Sequence, residues 1–286
     1  RRLPRCTGNM KSSNTRKPPR LRAYLSIFRI RFLGSLQYRI AAYAGIVTQF
    51  AWGGMTVLLF GAFYRGGGRF PMEYPQLSSY IWLQQAFLAL FMSWFFDPEI
   101  FELITSGNIA YELARPADIY FIWFTKNAAI RCSKAALRCL PILAASLLLP
   151  KPYGLSLPAS PLAFIMFCVT MALALGVIVA FSMFVYIAAF YTISSLGLRM
   201  LALALLDFFT GALIPLPFFP EWLRTAVELS PFGAMQNLPL CIWCGHIAGA
   251  EMWKSFGLGV FWLVALVTAG KLWMARALRR VTIQGG

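Results

Sequence analysis

The sequence predicts an all-α polytopic membrane protein that crosses the bilayer six times, and three observations lead there. Of 286 residues, 59% are hydrophobic and 13% are charged, about half the charged share of an ordinary soluble domain. The apolar residues gather into uncharged runs, several long enough to cross ~30 Å of hydrocarbon as helices. The basic residues stand beside those runs, and mean hydropathy is +0.66.

A net charge of +16 would suit a nucleic-acid binder, but its distribution points elsewhere. Eleven Lys and Arg and no acid fall within the first 39 residues, and Lys271, Arg276, Arg279 and Arg280 cluster near the other end. Both sets flank apolar runs, as the positive-inside rule requires, and neither builds a separate folded basic module. No nucleic-acid partner is expected. Nothing resembles a cleavable signal peptide, because the first apolar run starts late and is long.

Residues 1–20 are basic and contain Pro4, Pro18 and Pro19, which reads as a disordered cytoplasmic tail near anionic lipid. The remainder, 21–286, reads as one transmembrane domain. Over 21–39, Leu21, Tyr24, Leu25, Phe28, Phe32 and Leu36 recur at helical spacing, while Arg22, Ser26 and Arg29 take another face. That pattern describes an interfacial helix lying among headgroups. Spans are expected at about 40–63, 80–96, 135–149, 162–191, 201–216 and 256–274.

The first span ends at the glycine loop 65–69, which lacks the Lys and Ser/Thr of a phosphate loop. After the second span come Asp97, Glu99 and Glu102, read as a solvated loop because no histidine or nucleophile accompanies them. Next lies Ser106–Gly107–Asn108–Ile109–Ala110–Tyr111–Glu112–Leu113–Ala114–Arg115–Pro116. Gly107 breaks one helix and Pro116 fixes where the next begins, leaving a helical turn or two flat at the membrane surface. By spacing alone this is either an ordinary surface turn or a helix offered to a partner's groove.

From Ile119 a further helix climbs toward the bilayer, with Arg131, Lys134 and Arg138 at i, i+3 and i+7 on one face. These basics either snorkel to inner-leaflet phosphates or line the inner mouth of a transport path. The stretch 192–199 reads as a cytoplasmic turn and a second partner contact through Ser195, Gly197 and Arg199. Asp207 is the one acid well inside an apolar run, so it must face protein or water. It either pairs structurally, for instance with Arg199, or faces cargo. Pro215, Pro217 and Pro220 stop the fifth span, and residues 217–250 read as half-immersed in the outer leaflet.

Cys241, Cys244 and His246 have partial metal-ligand spacing, but no second ligand pair exists, and free thiols in an amphipathic loop are expected. Twenty-one basics then fall on the cytoplasmic side and five outside, with both termini cytoplasmic.

The chain resembles the six-span permease subunits of the type-2 ABC exporter family. The resemblance rests on residues 107–116, on Ser194–Ser195–Leu196–Gly197–Leu198–Arg199, on Gly211–Ala212–Leu213–Ile214–Pro215 running into Phe219–Pro220–Glu221–Trp222–Leu223, and on Gln284–Gly285–Gly286. It implies an interfacial elbow helix, a cytoplasmic coupling helix between spans two and three, and a re-entrant extracellular hairpin between spans five and six. Carried onto this sequence, Gly107, Asn108, Ile109, Tyr111, Glu112, Leu113, Arg115 and Pro116 form the coupling interface with an ATPase subunit. Pro215, Pro220, Trp222 and Pro231 belong to the extracellular gate.

No G-x-x-x-x-G-K-[ST] occurs in the sequence, so ATP and Mg belong to a partner subunit and this chain binds no cofactor. A second permease chain, identical or homologous, membrane lipids, and the inner or plasma membrane of a bacterium complete the expectation. A membrane enzyme or scaffold acting on lipids lacks a catalytic constellation, with His246 the only histidine. An ion-coupled transporter lacks internal repeats and several intramembrane ionisable groups. Amphipathic cargo, such as a peptide, lipid-like compound or drug, fits the scarcity of buried charge.

Overall fold

The computed structural model describes residues 21–37, 39–92, 96–115, 117–192 and 195–279. The expected tail at 1–20, Pro116, Ser194, Arg280 and the terminal Gln284–Gly286 lie outside the described residues. Every regular element among those described is helical.

Helix α1 (Leu21–Ser35) runs along the long helix α7 (Ile119–Leu148). It touches it through the Tyr24–Phe121 ring pair, centroids 6.2 Å apart. Leu21, Leu25, Ile30 and Leu33 stay exposed, so the apolar stripe is split between protein and surroundings. Helix α2 (Arg39–Arg65) follows. Its glycines let neighbours approach: a Cβ at Gly53 would lie 2.8 Å from the Trp82 ring, and one at Gly61 2.5 Å from the Tyr74 hydroxyl.

The second apolar run is not one helix over 80–96. It starts earlier, as α3 (Tyr74–Ala86), breaks at Phe87, and continues as the four-residue α4 (Leu88–Phe91). The early start has a local cause, a Glu73/Gln76 capping box with Pro75 at the first turn. The acidic stretch read as a solvated loop is instead α5 (Pro98–Thr105), capped by Asp97, whose side chain accepts from the Glu99 N–H at 3.0 Å. Gly107, at φ +75°, then turns the chain into α6 (Ile109–Leu113).

The helix expected to climb from Ile119 is α7, continuous from its Asp118 cap through the stretch expected as the third span, and its 30 residues span about 45 Å. Helix α8 (Pro161–Ala188) is the central post. Its apolar stretch is 56% buried, against 22% in α2 and 17% in α12 (Gly249–Leu278). The fifth run stops earlier than 216: α9 (Ser195–Phe209) ends in a turn through Gly211, φ +80°. Since α9 begins at Ser195, residues 195–199 are its first turn and not a cytoplasmic loop.

After the prolines come α10 (Glu221–Leu229) and α11 (Asn237–Trp243). The stretch expected to lie half-immersed divides into a more exposed and a buried part. On α10, Trp222 is 74% exposed, whereas Asn237 to Ile242 of α11 are all buried, packed on α8 and α3. Cys241 therefore sits in a core helix and not in a loop, its thiol donating to Asn237 Oδ1 at 3.2 Å. Among the described residues, three helices are long and apolar enough to cross a membrane: Ala42–Arg65, Pro161–Tyr191 and Gly249–Leu278. Helix α7 has the length but carries Lys126, Arg131, Lys134 and Arg138 within it.

Candidate functional site

The short helix α6 is fastened rather than hinged. Its Ile109 is 1% exposed and packs with Ile100, Phe101, Ile122 and Trp123 in one apolar cluster. Glu112, one turn on, points the same way and meets Lys126 of α7 at 3.3 Å, their side chains only 6% and 5% exposed. Arg115 adds a 3.4 Å contact to the same Glu112 oxygen. Breaking such a buried pair by removing one partner costs about 3–5 kcal/mol, because the other charge stays behind without compensation.

The residues expected at the coupling surface divide between two environments. Ile109 and Glu112 are buried in the chain's own interior. Leu113 is half-buried against the same cluster. Gly107, Asn108, Tyr111 and Arg115 are exposed, and Tyr111 stands out at 76%. A helix this short has room for one inward and one outward face, and the inward one takes the acid and the isoleucine.

Lys126 also reaches Glu99 of α5 at 3.8 Å, and Glu99 pairs with Arg31 of α1. Four helices, α1, α5, α6 and α7, thus meet in one ionic cluster. Burial acts to raise the Glu99 pKa, but the Arg31 hydrogen bond and the nearby Lys126 and Arg115 charges outweigh it and hold the carboxyl below its ordinary value. The stabilisation is complete above the unfolded glutamate value of about 4.3 and is lost as pH falls through the lower folded value. Protection of the α1 amides, taken relative to the intrinsic exchange rate at each pH, is therefore expected to hold from neutral pH down to about pH 5 and to fall below about pH 4. Unchanged protection of α1 at the acid end would mean the Arg31–Glu99 tie holds nothing. Asp97 shifts the other way, raised by burial against the lowering effect of its bond from the Glu99 N–H.

One turn above Lys126, a second polar knot fastens α7 to its neighbours. Arg131 is fully buried. Its Nε donates to Asn127 Oδ1 at 2.7 Å, Nη1 to the Leu90 and Met92 carbonyls at 2.9 and 2.7 Å, and Nη2 to Ser182 Oγ at 3.2 Å. Asn127 Nδ2 in turn donates to the Tyr186 hydroxyl at 2.8 Å, which also accepts the Asp97 N–H at 2.7 Å. Of the roles expected for Arg131, transport-path charge or structural charge, these bonds fit the structural one. It closes off the carbonyls that the break after α4 leaves unpaired, which is a structural task.

Further along α7, Arg138 and Asp207 border one cavity of ≈ 560 Å³ with α2 and the α3–α4 break. Of the three expected basics, only Arg138 reaches this space; Lys134 is half-buried and does not border it. Lys126 and Arg138 are twelve residues apart on one helix, about 18 Å along its axis. Arg199 lies over the Phe101 ring at 4.9 Å, which ties the start of α9 to α5. Ser195 is half-buried and Gly197 exposed beside it. Among the hairpin residues, Pro215 is buried, Pro231 half-buried, and Pro220 and Trp222 exposed.

Lys126, Glu99, Arg31, Asn127 and Tyr186 were missed by sequence reasoning. Their partners lie between 14 and 89 residues away along the chain, except within α7, so no local spacing marks them. Gln49 and Gln85, at the cavity, carried only one hint: polar amides inside apolar runs.

Membrane-length helices beside a cavity of mixed polar and apolar lining, with a short helix clamped to a 30-residue charged helix, describe a membrane protein. The family model described as ABC-2 family transporter protein matches residues 50–285. The chain belongs to that family and is a transmembrane permease component of an ABC transporter. No curated protein matches it, and no solved structure does.

Proposed function

We propose that this chain is the permease of an ABC exporter, worked by ATP hydrolysis on a separate nucleotide-binding subunit that docks on α6. The observation that carries the reading is the two-sided character of α6. Tyr111 is offered outward, while Glu112 is locked to Lys126 of α7. A push on Tyr111 passes to α7 as a rigid body instead of being lost in a flexible loop. From α7 it reaches α4 and α8 through Arg131, and the cavity wall through Arg138.

In this reading α2, α3–α4, α7, α8, α9 and α12 are six spans with both termini in the cytoplasm. Helix α1 is the interfacial elbow, and the segment from Pro215 to Pro231 is the outer gate. Two such permeases, identical or homologous, enclose the path in a bacterial cell membrane. The cargo is an amphipathic peptide, lipid-like compound or drug.

Purification in mild detergent tests the core of this. An ATP-hydrolysing subunit is expected to travel with the chain, and inside-out vesicles holding both are expected to take up an amphipathic dye only with ATP. Uptake by the chain alone, with no ATPase present, overturns the proposal.

A further inference from the structure

Helix α3 is bonded to the turn that follows α9. Gln84 of α3 is 4% exposed, and its Nε2 donates to the Ala212 carbonyl at 2.8 Å and to the Gly211 carbonyl at 3.4 Å. Those carbonyls belong to the turn in which Gly211 takes φ +80° and the helical ladder stops. The N–H groups of the turn point back into α9, Gly211 to the Phe208 carbonyl and Leu213 to the Asp207 carbonyl. Its carbonyls therefore depend on side-chain donors. Gln236 Nε2 gives Gly211 a weaker contact at 3.5 Å, and among the described residues the Ala212 carbonyl is left to Gln84.

The same segment is gripped again at Leu90 and Met92, whose carbonyls accept from Arg131 of α7. Leu90 lies about 9 Å along the axis from Gln84. The break at Phe87 does not uncouple the two places, because backbone bonds cross it. Phe87 N–H donates to the Leu83 carbonyl at 3.0 Å, and Leu90 N–H to the Phe87 carbonyl at 2.9 Å. Leu77 to Ala86 are all buried, so the segment has little room to yield between its attachments. Leu88 and Met92 at one end, and Ala212 and Leu213 at the other, border the ≈ 560 Å³ cavity. We infer that Gln84 is a positioning residue of the transport cycle. It draws the turn at Gly211–Ala212 along when α7 displaces α3–α4, so the position of α7 sets the cavity wall. Only in calling that displacement part of transport does this rest on the permease reading.

The test is hydrogen exchange read by mass spectrometry on the full chain in phosphatidylcholine nanodiscs, without any ATPase. Failure to find a nucleotide-binding partner and failure of this linkage are then separate results. The readout is exchange over residues 207–219 divided by that of α12, which cancels loosening of the whole fold. Gln84→Met keeps the length and removes the donor, and is expected to speed the turn about tenfold or more. Arg131→Lys weakens the grip on Leu90 and Met92, and is expected to speed the turn about threefold from a distance. Both changes together are expected to do no more than Gln84→Met alone, because the turn is then already detached. Independent sites would instead multiply their effects. Gln84→Lys retains an N–H at similar reach, and is expected to restore both the slow exchange and the response to Arg131→Lys. A turn that keeps the parent's rate in Gln84→Met overturns the linkage, and so do multiplied effects in the double variant. An Arg131→Lys chain whose turn is unchanged while α4 loosens overturns it as well. This last comparison needs no change at Gln84, so it can refute the linkage even where the Gln84 variants fail to fold.

Discussion

Replacing Arg131 with leucine is expected to destabilise the chain by about 3 kcal/mol or more. The leucine fills much of the same volume but donates nothing. The Leu90 and Met92 carbonyls and Asn127 Oδ1, which now accept from the guanidinium, lose that donor in a dry interior. Each unsatisfied buried group costs about 1–3 kcal/mol. Arg131→Lys keeps the charge but offers a compact ammonium in place of a planar fork, so it cannot reach all four acceptors and is expected to fall between the two. Thermal unfolding of the purified chain in detergent checks the order. A leucine variant that melts with the parent would mean that Arg131 is an ornament of the fold and not its clamp.

The second expectation concerns the outward face of α6. Tyr111→Asp is expected to abolish stimulated ATP hydrolysis in the complex while leaving melting of the isolated permease unchanged within about 0.5 kcal/mol. Exposed aromatic anchors of this kind commonly carry 2 kcal/mol or more of an interface, about a thirtyfold loss of affinity, and a buried carboxylate adds to the deficit. Leu113→Asp is expected to abolish stimulation as well, but for a mixed reason. Leu113 also packs against the chain's own cluster, so its substitution costs stability in addition to contact. The pair of variants thus separates docking from folding. An undiminished ATPase rate in Tyr111→Asp would remove that tyrosine from the interface and leave α6 as a plain surface turn.

The two expectations meet on α7. Lys126 fastens α6 and Arg131 fastens α4 and α8, while Arg138 borders the cavity. Packed interiors resist compression, and two of these side chains tie α7 to its neighbours. The proline inside it, Pro141, lies beyond Arg138, past the part that the clamps engage.

Several features were readable before any coordinates. Hydrophobic content and low charge required a membrane protein, because a soluble surface cannot be covered with so few polar residues. Gly107 announced a helix break, since a chain reversal with positive φ costs glycine least. Pro220 marks the start of α10, whereas α9 ends at Phe209, ahead of the prolines expected to stop it. Some local signals were present and passed over. Asp97–Pro98–Glu99 is a helix start inside the stretch expected as a solvated loop, and Glu73 with Pro75 and Gln76 is another, ahead of the span expected from residue 80.

What the residues determined alone was hydropathy, helical periodicity and the punctuation of turns, all of which depend on neighbours within a few positions. Which way Glu112 and Ile109 point, what Arg131 holds, and which residues come together around one cavity were settled only by packing. Those outcomes depend on helices distant in sequence arriving at the same place, and a buried charge takes its meaning from what it finds there.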